Sequence, residues 1–315
     1  MSQAASAQLP NRQAMRKLIQ RKRNAANRAP ENPRCIEDLE FPEEYKVHKP
    51  TPETEENFYI ADQEINQERI IIFGRETWLE HLATSTIWYV DGTFAIAPQL
   101  FHQEYVILVK KFDGVHPILY ALLQNKQRST YVKMLEIIKE KVPNARPNII
   151  NCDFEHAILT TMKDGFPNVQ IRGCLFHLLQ NLIKQNESMG HMISYNTNAD
   201  FALQVKMILA LKYVPLNNPD RHVEALASHL REELVPLLNW FEDNYIGRPN
   251  RRGIGKRASL FPTDIWNMFE RTLQGEDRTN NHAEAAKRRL HTELGMLHRT
   301  IWNFFRCAEK GPKRT

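Results

Sequence analysis

The chain has 315 residues, of which 42% are hydrophobic and 25% charged, and its formal net charge is +5. Those proportions are those of a globular protein with room for one large core or two ordinary ones. They exclude a bilayer-spanning segment and a signal peptide, since no apolar run is long enough, and four scattered cysteines (Cys35, Cys152, Cys174, Cys307) exclude a disulfide framework and fit a reducing compartment.

Residues 1–57 read as a basic arm followed by an acidic, proline-containing connector. Arg12, Arg16, Lys17, Arg21, Lys22, Arg23 and Arg28 crowd the arm with almost no acid, a pattern for nucleic acid, for a nuclear address or for a solvated tail. Asp38, Glu40, Glu43, Glu44 and Pro50-Thr51-Pro52 give residues 36–66 an extended or turn character. The folded core begins near Phe58 and its first part runs over 58–189. Arg69–Phe73 reads as a strand and Glu76–Leu82 as a short amphipathic helix. Ile87–Phe94, Gln103–Phe112 and Val115–Gln124 then form an antiparallel meander, with Asp113-Gly114 as a hairpin turn.

Helical spacing of Val132, Leu135, Ile138 and Val142 follows, with Ser129 or Thr130 as a cap and Pro143 as the stop. Asn148–Asp153 is a short strand, Ala157–Lys163 a helix, Val169–Cys174 a strand and Leu175–Gln185 a helix. The order β-β-β-α-β-α-β-α is an α/β arrangement of the ribonuclease H-like kind, a mixed sheet with helices on its faces. Residues 190–275 read as all-helical, an insertion or second domain, with Phe201–Lys212, His222–Leu230 and Leu234–Asn244 as helices and no strand. This block ends in a loop with Arg248, Arg251, Arg252, Lys256, Arg257 and three glycines but no acid, a composition suited to DNA phosphates or to a solvated loop. Residues 276–315 supply a last core helix starting at Thr279–Glu284, then a basic tail.

The chemistry concentrates at strand ends. Asp91 closes an apolar run and is followed by Gly92; the pair is either a tight turn or a carboxylate at the lip of a buried strand. Asp153 ends the fourth strand of the unit and is either a helix N-cap or a second carboxylate beside Asp91, because the first and fourth strands of such a sheet are neighbours. Two facing carboxylates call for Mg²⁺ or Mn²⁺ between them, and two ions about 3.5–4 Å apart can activate a nucleophile and stabilise a leaving oxygen of a phosphodiester. Glu284 is the choice for a third ligand, although Asn281-x-x-Glu284 is also a capping-box pattern; Glu155 and Glu293 are weaker choices. Cys174-x-x-His177 has the spacing of half a zinc site, but no second pair completes it. Packing, or a hydrogen bond that positions the neighbouring carboxylates, is the expected role of that pair.

Tyr89-Val90-Asp91-Gly92-Thr93-Phe94, Asn151-Cys152-Asp153-Phe154-Glu155, Cys174-Leu175-Phe176-His177, Trp266-Asn267 and Arg278–Glu284, in this order and spacing, resemble the transposase domain of Mutator-like elements (MULE). The resemblance covers residues 55–305. It implies a ribonuclease H-like core interrupted by an all-α insertion before the last catalytic helix. It also implies a DDE-type site at Asp91, Asp153 and Glu284 that uses Mg²⁺ or Mn²⁺, with DNA as partner and the nucleus as location. In the family the Cys-x-x-His pair is a recurrent signature. The arm lacks the Cys/His framework of a FLYWCH or WRKY-like zinc module, so the resemblance implies a partial or domesticated copy. Two functions remain open at this level: a transposase catalytic domain that cleaves and joins DNA, or a catalytically silent DNA-binding or interaction protein; a third, a ribonuclease H-like nuclease unrelated to transposition, leaves the helical insertion and the late Thr-Asn-Asn-x-x-Glu unexplained. A homo-oligomer is also left open.

Overall fold

The computed structural model describes residues 29–51, 53–65, 68–93, 97–112, 114–215, 219–250, 255–276 and 300–310, with residues 14, 15, 17, 18 and 285. Its centre is a seven-stranded mixed sheet, built from β3 (Tyr59–Ile65), β4 (Glu68–Phe73), β5 (Ile87–Thr93), β6 (Gln103–Lys111), β7 (Gly114–Leu123), β8 (Ile149–Cys152) and β9 (Gln170–Gly173). A separate hairpin, β1 (Val47–Thr51) with β2 (Thr54–Asn57), precedes it. The strand order is β3-β4-β7-β6-β5-β8-β9. The pairs from β3 through β5 are antiparallel, whereas β5–β8 and β8–β9 are parallel.

Burial on both faces explains the unbroken apolar runs. Ile70–Phe73 and Trp88–Val90 are buried at every residue, as expected for interior strands covered on both sides. On one face Trp88, Val90, Tyr105, Ile107 and Val109 pack under α1 (Arg128–Lys141) and α2 (His156–Gly165) through Tyr131, Met134, Leu135, Ile138, Ile158 and Met162. The opposite face carries Tyr89, Val106, Leu108, Ile71, Phe73 and Tyr120. It is covered by α7 (Ile301–Lys310) through Ile301, Trp302, Phe304 and Phe305. Burying side chains of this size contributes roughly 1.5–3 kcal/mol each.

The helical block consists mainly of α4 (Ala199–Ala210), α5 (Pro219–Ala227) and α6 (Val235–Phe241), reached through α3 (Leu175–Ser188). Phe201, Val205, Leu237, Phe241, Tyr245 and Trp266 belong to the same hydrophobic cluster as Trp88 and Ile150, so block and sheet share one core.

Four expectations change. The acidic stretch read as a connector supplies Leu39, Phe41 and Tyr45 to the core, where Phe41 and Tyr45 meet Trp302. The block read as wholly helical contains a two-residue antiparallel ribbon, Arg248–Pro249 with Lys256–Arg257. Neither Ser129 nor Thr130 caps α1: its N-cap is Gln127, and the Thr130 hydroxyl instead donates to Asn125 Oδ1 at 2.7 Å or Glu68 Oε2 at 2.9 Å. The short helix read over Glu76–Leu82 splits into a 3₁₀ turn, Glu76–Trp78, and a helix, Glu80–Thr84. Among the described residues no helix is long and apolar enough to cross a membrane.

Candidate metal centre

The parallel register of β5 with β8 aligns Tyr89 with Asn151, so Asp91 and Asp153 stand two residues beyond matched positions on adjacent strands. Asp91 is fully buried and shares a sheet face with Tyr89, because side chains alternate along a strand. Asp153 lies just past the end of β8, and it is not a helix cap: the N-cap of α2 is Glu155.

A third group arrives from the next crossover. The Cys174 amide donates to the Cys152 carbonyl at 3.0 Å, which ties the ends of β8 and β9 together. Helix α3 begins at once, with Cys174 as N-cap, and its first turn carries His177 back to the strand ends. His177 Nδ1 lies 3.6 Å from Asp153 Oδ1. One ligand atom each from Asp91, Asp153 and His177 lie within 4.8 Å of one another. The positive end of the α3 dipole adds favourable potential beside the two carboxylates.

Glycines make room for this convergence. A Cβ on Gly173 would lie 2.2 Å from Cζ of Phe154, the residue after Asp153. A Cβ on Gly92 would lie 3.0 Å from Gln103 Oε1 and 3.3 Å from Tyr105 Cδ2. Two neighbouring groups, a phenol and a thiol, are held towards their protonated forms. Burial, then the charge of Asp153, pushes the Tyr105 phenol well above its ordinary range, and the same two causes raise the Cys152 thiol. A thiol so raised is a poor metal ligand or nucleophile.

The structure separates the predicted residues. Asp91 and Asp153 come together. Glu284 falls outside the described residues, as do Glu293, Arg251 and Arg252. Glu155 faces elsewhere, accepting from the Tyr131 hydroxyl at 2.8 Å with Lys126 Nζ at 3.5 Å. The signature pair divides: His177 joins the carboxylates, while Cys174 is buried at the helix start. The spacing of the pair carried that signal, since a residue three places past a strand end falls in the first turn of the following helix.

The chain leading towards Glu284 is anchored on β9, the strand next to β8. Helix Thr263–Trp266 packs on β9, with Trp266 Nε1 donating to the Tyr245 carbonyl at 2.7 Å. Arg172 of β9, in register with Asn151, pairs with Glu276 at 2.8 Å. Register thus places Arg172 on the sheet face of Asp91, the face that α7 covers where description resumes.

The described cations of the basic loop are ion-paired. Arg248 lies 3.1 Å from Asp243 and 3.7 Å from Glu242; Arg257 lies 2.7 Å from Asp243, and Lys256 lies 2.5 Å from Asp220. They form the stem of the ribbon, closed by the Asn250 amide donating to the Gly255 carbonyl at 3.0 Å. Gly247 takes φ +81° there, and a Cβ would sit 2.4 Å from the Arg257 carbonyl oxygen.

Residues 87–181 match the family model described as the MULE transposase domain. The matched segment runs from the first residue of β5 into α3, and it includes Asp91, Asp153 and His177. No curated protein matches the chain.

Proposed function

We propose that the chain, which carries a MULE transposase domain, is the catalytic part of a DNA transposase and performs metal-dependent phosphodiester cleavage and strand transfer. The observation that carries this reading is the convergence of Asp91, Asp153 and His177 inside the matched segment. The strand order β7-β6-β5-β8-β9, with β6 antiparallel and β8 and β9 parallel to β5, supports a ribonuclease H-like core.

The donor set fits a divalent ion. Carboxylate oxygens suit Mg²⁺ and Mn²⁺, and an imidazole is acceptable to Mn²⁺. Bound there, such an ion would acidify a water nucleophile and offset the charge that develops on the phosphodiester. Asp91 and Asp153 would hold it jointly from adjacent strands. His177 would either complete the ligand set or orient Asp153 through its Nδ1 contact. Glu284 is the further carboxylate in this reading, on the stretch that starts from the Arg172-anchored Glu276. Arg251 and Arg252, which fall between Pro249 and Lys256 in the sequence, would meet DNA phosphates. The arm Arg16–Arg23 would serve as a nuclear address.

The test is nicking of duplex DNA by the purified chain in Mg²⁺ or Mn²⁺. Wild type should nick, and Asp91→Asn and Asp153→Asn should each abolish it. DNA binding with no cleavage by wild type in either metal would mean a silent derivative. Undiminished nicking by Asp153→Asn would overturn the site assignment.

A further inference from the structure

Glu155, on the segment that carries Asp153, is linked through Tyr131 to Gln103 of β6, the strand paired with β5. Gln103, at the start of β6, donates from Nε2 to the Tyr131 hydroxyl at 2.7 Å and to the Asn125 carbonyl at 3.1 Å. Its other amide atom, Oε1, faces Gly92, the residue after Asp91, closely enough that a Cβ there would lie 3.0 Å away. The Tyr131 hydroxyl in turn donates to Glu155 Oε1 at 2.8 Å, two residues after Asp153. Gln103, fully buried, stands on the α1 side of the sheet, whereas alternation along β5 puts the Asp91 side chain on the opposite side.

The polarity of this chain of contacts is fixed. Burial foremost raises the Tyr131 phenol above its ordinary range, so the hydroxyl keeps its proton. Glu155 accepts that proton's hydrogen bond, which leaves the hydroxyl oxygen as acceptor for Gln103. The Gln103 amide then has one orientation, with its NH₂ on Tyr131 and Asn125 and its carbonyl oxygen, which has no hydrogen-bond partner among the described residues, turned towards Gly92.

We propose that Gln103, Tyr131 and Glu155 are positioning residues: a brace that sets the separation of Asp91 and Asp153. The inference rests on reading those aspartates as the metal-holding pair. The physical reason is geometric. Asp153 lies on a loop, and the fixed end of β5 is its partner across the site. The Tyr131–Glu155 hydrogen bond ties the loop to α1, and Gln103 ties Tyr131 to β6, the strand whose Val106 is paired with Asp91, which adds a side-chain link to the backbone register of β5 with β8. Outer groups that orient metal ligands typically change metal affinity about 10–100-fold when lost.

The experiment titrates Mn²⁺ into the full-length chain and follows free Mn²⁺ by electron paramagnetic resonance, which needs no turnover. Tyr131→Phe keeps the ring in the core and removes the hydroxyl; it should weaken Mn²⁺ binding about tenfold with circular dichroism unchanged. Glu155→Ala should weaken it to a similar degree. Glu155→Gln keeps an oxygen acceptor for Tyr131 and should stay within about twofold of wild type. Should Tyr131→Phe fail to fold, the Glu155 pair decides, because Glu155 is partly exposed at a helix start. The brace is overturned if Asp91→Asn abolishes Mn²⁺ binding while Tyr131→Phe and Glu155→Ala bind as wild type does. It is equally overturned if Glu155→Gln loses as much as Glu155→Ala, which would make the charge the active element. If wild-type binding survives Asp91→Asn, the placement of the metal itself is wrong, and the brace goes with it.

Discussion

Gly173→Ala places one methyl group where the structure leaves no room. The added Cβ would lie 2.2 Å from Phe154 Cζ and 2.7 and 2.8 Å from Cε1 and Cε2, against 3.4–4 Å for ordinary contact. The ring cannot simply retreat. Tyr245 and Phe261 stand edge-on to it with centroids 5.6 and 5.3 Å away, and Phe154 is only 8% exposed. Overpacking of this kind costs about 1–3 kcal/mol. Replacing glycine by alanine returns roughly 0.4–1 kcal/mol through the unfolded chain. The net expectation is a loss of about 1–2 kcal/mol, read from urea unfolding as a lower midpoint at constant slope. Phe154→Ala supplies the control, since it removes the obstructing ring. In that background Gly173→Ala should be neutral or slightly stabilising, a coupling of about 1–2 kcal/mol between the two positions. Equal destabilisation in both backgrounds would refute the clash as the cause. Because Phe154 follows Asp153 directly, nicking by Gly173→Ala should also fall, about 100-fold for a displacement near 1 Å.

Two further outcomes follow from charge. His81 lies in a ring cluster with Trp78 and Phe112, and burial, then the Lys111 ammonium, holds it below 6.5. The unfolded chain therefore takes up the proton first, so the stability this neutral ring contributes is present above about pH 6.5 and is lost as pH falls. The advantage of wild type over His81→Gln in urea should shrink between pH 7.5 and 5.5, and a constant difference would contradict the assignment. The double substitution Arg251→Ala, Arg252→Ala should lower the slope of log K against log salt for DNA binding by about 2, with an unchanged melting midpoint. An unchanged slope would remove those arginines from the DNA interface.

The pairing of Asp91 with Asp153 was legible because it needs only strand order and a side-chain period of two: each aspartate ends an apolar run, and adjacency of the runs follows from the meander. His177 was half legible. Its spacing from Cys174 marked a strand–helix junction, but nothing local says which of the two side chains turns towards the carboxylates. The burial of Leu39, Phe41 and Tyr45 was illegible in an acidic stretch, since Trp302 and Phe305, which meet Phe41 and Tyr45 in the same cluster, lie more than two hundred residues away. The ribbon Arg248–Pro249 with Lys256–Arg257 is too short to show any period, and its stability comes from ion pairs to Asp243 and Asp220 that no local pattern reveals. Gln103 and Tyr131 are illegible for the same reason: a buried glutamine and a helical tyrosine look like ordinary core until Glu155 is brought to them.

The helical block bears on the metal centre through where it leaves and rejoins the sheet. It departs from α3, the helix that carries His177, and it returns through Glu276, which is paired with Arg172 on β9. The first attachment is the helix whose first turn carries His177, and the second is on β9, the strand next to β8. Between them the block sends Tyr245 and Phe261 onto Phe154, so the loop after β8 is gripped by the block on one flank and by Tyr131 on the other. An insertion hung on a distant loop would leave the carboxylates indifferent to its packing. Here any shift of α6 and the turn carrying Tyr245 is passed through one aromatic ring to the residue beside Asp153, because close-packed rings transmit displacement. The aromatic stack, Phe241 on Tyr245 on Phe261, therefore links α6 to the ring that follows Asp153. The stem Asp243 sits in the same turn as Tyr245, two residues from it.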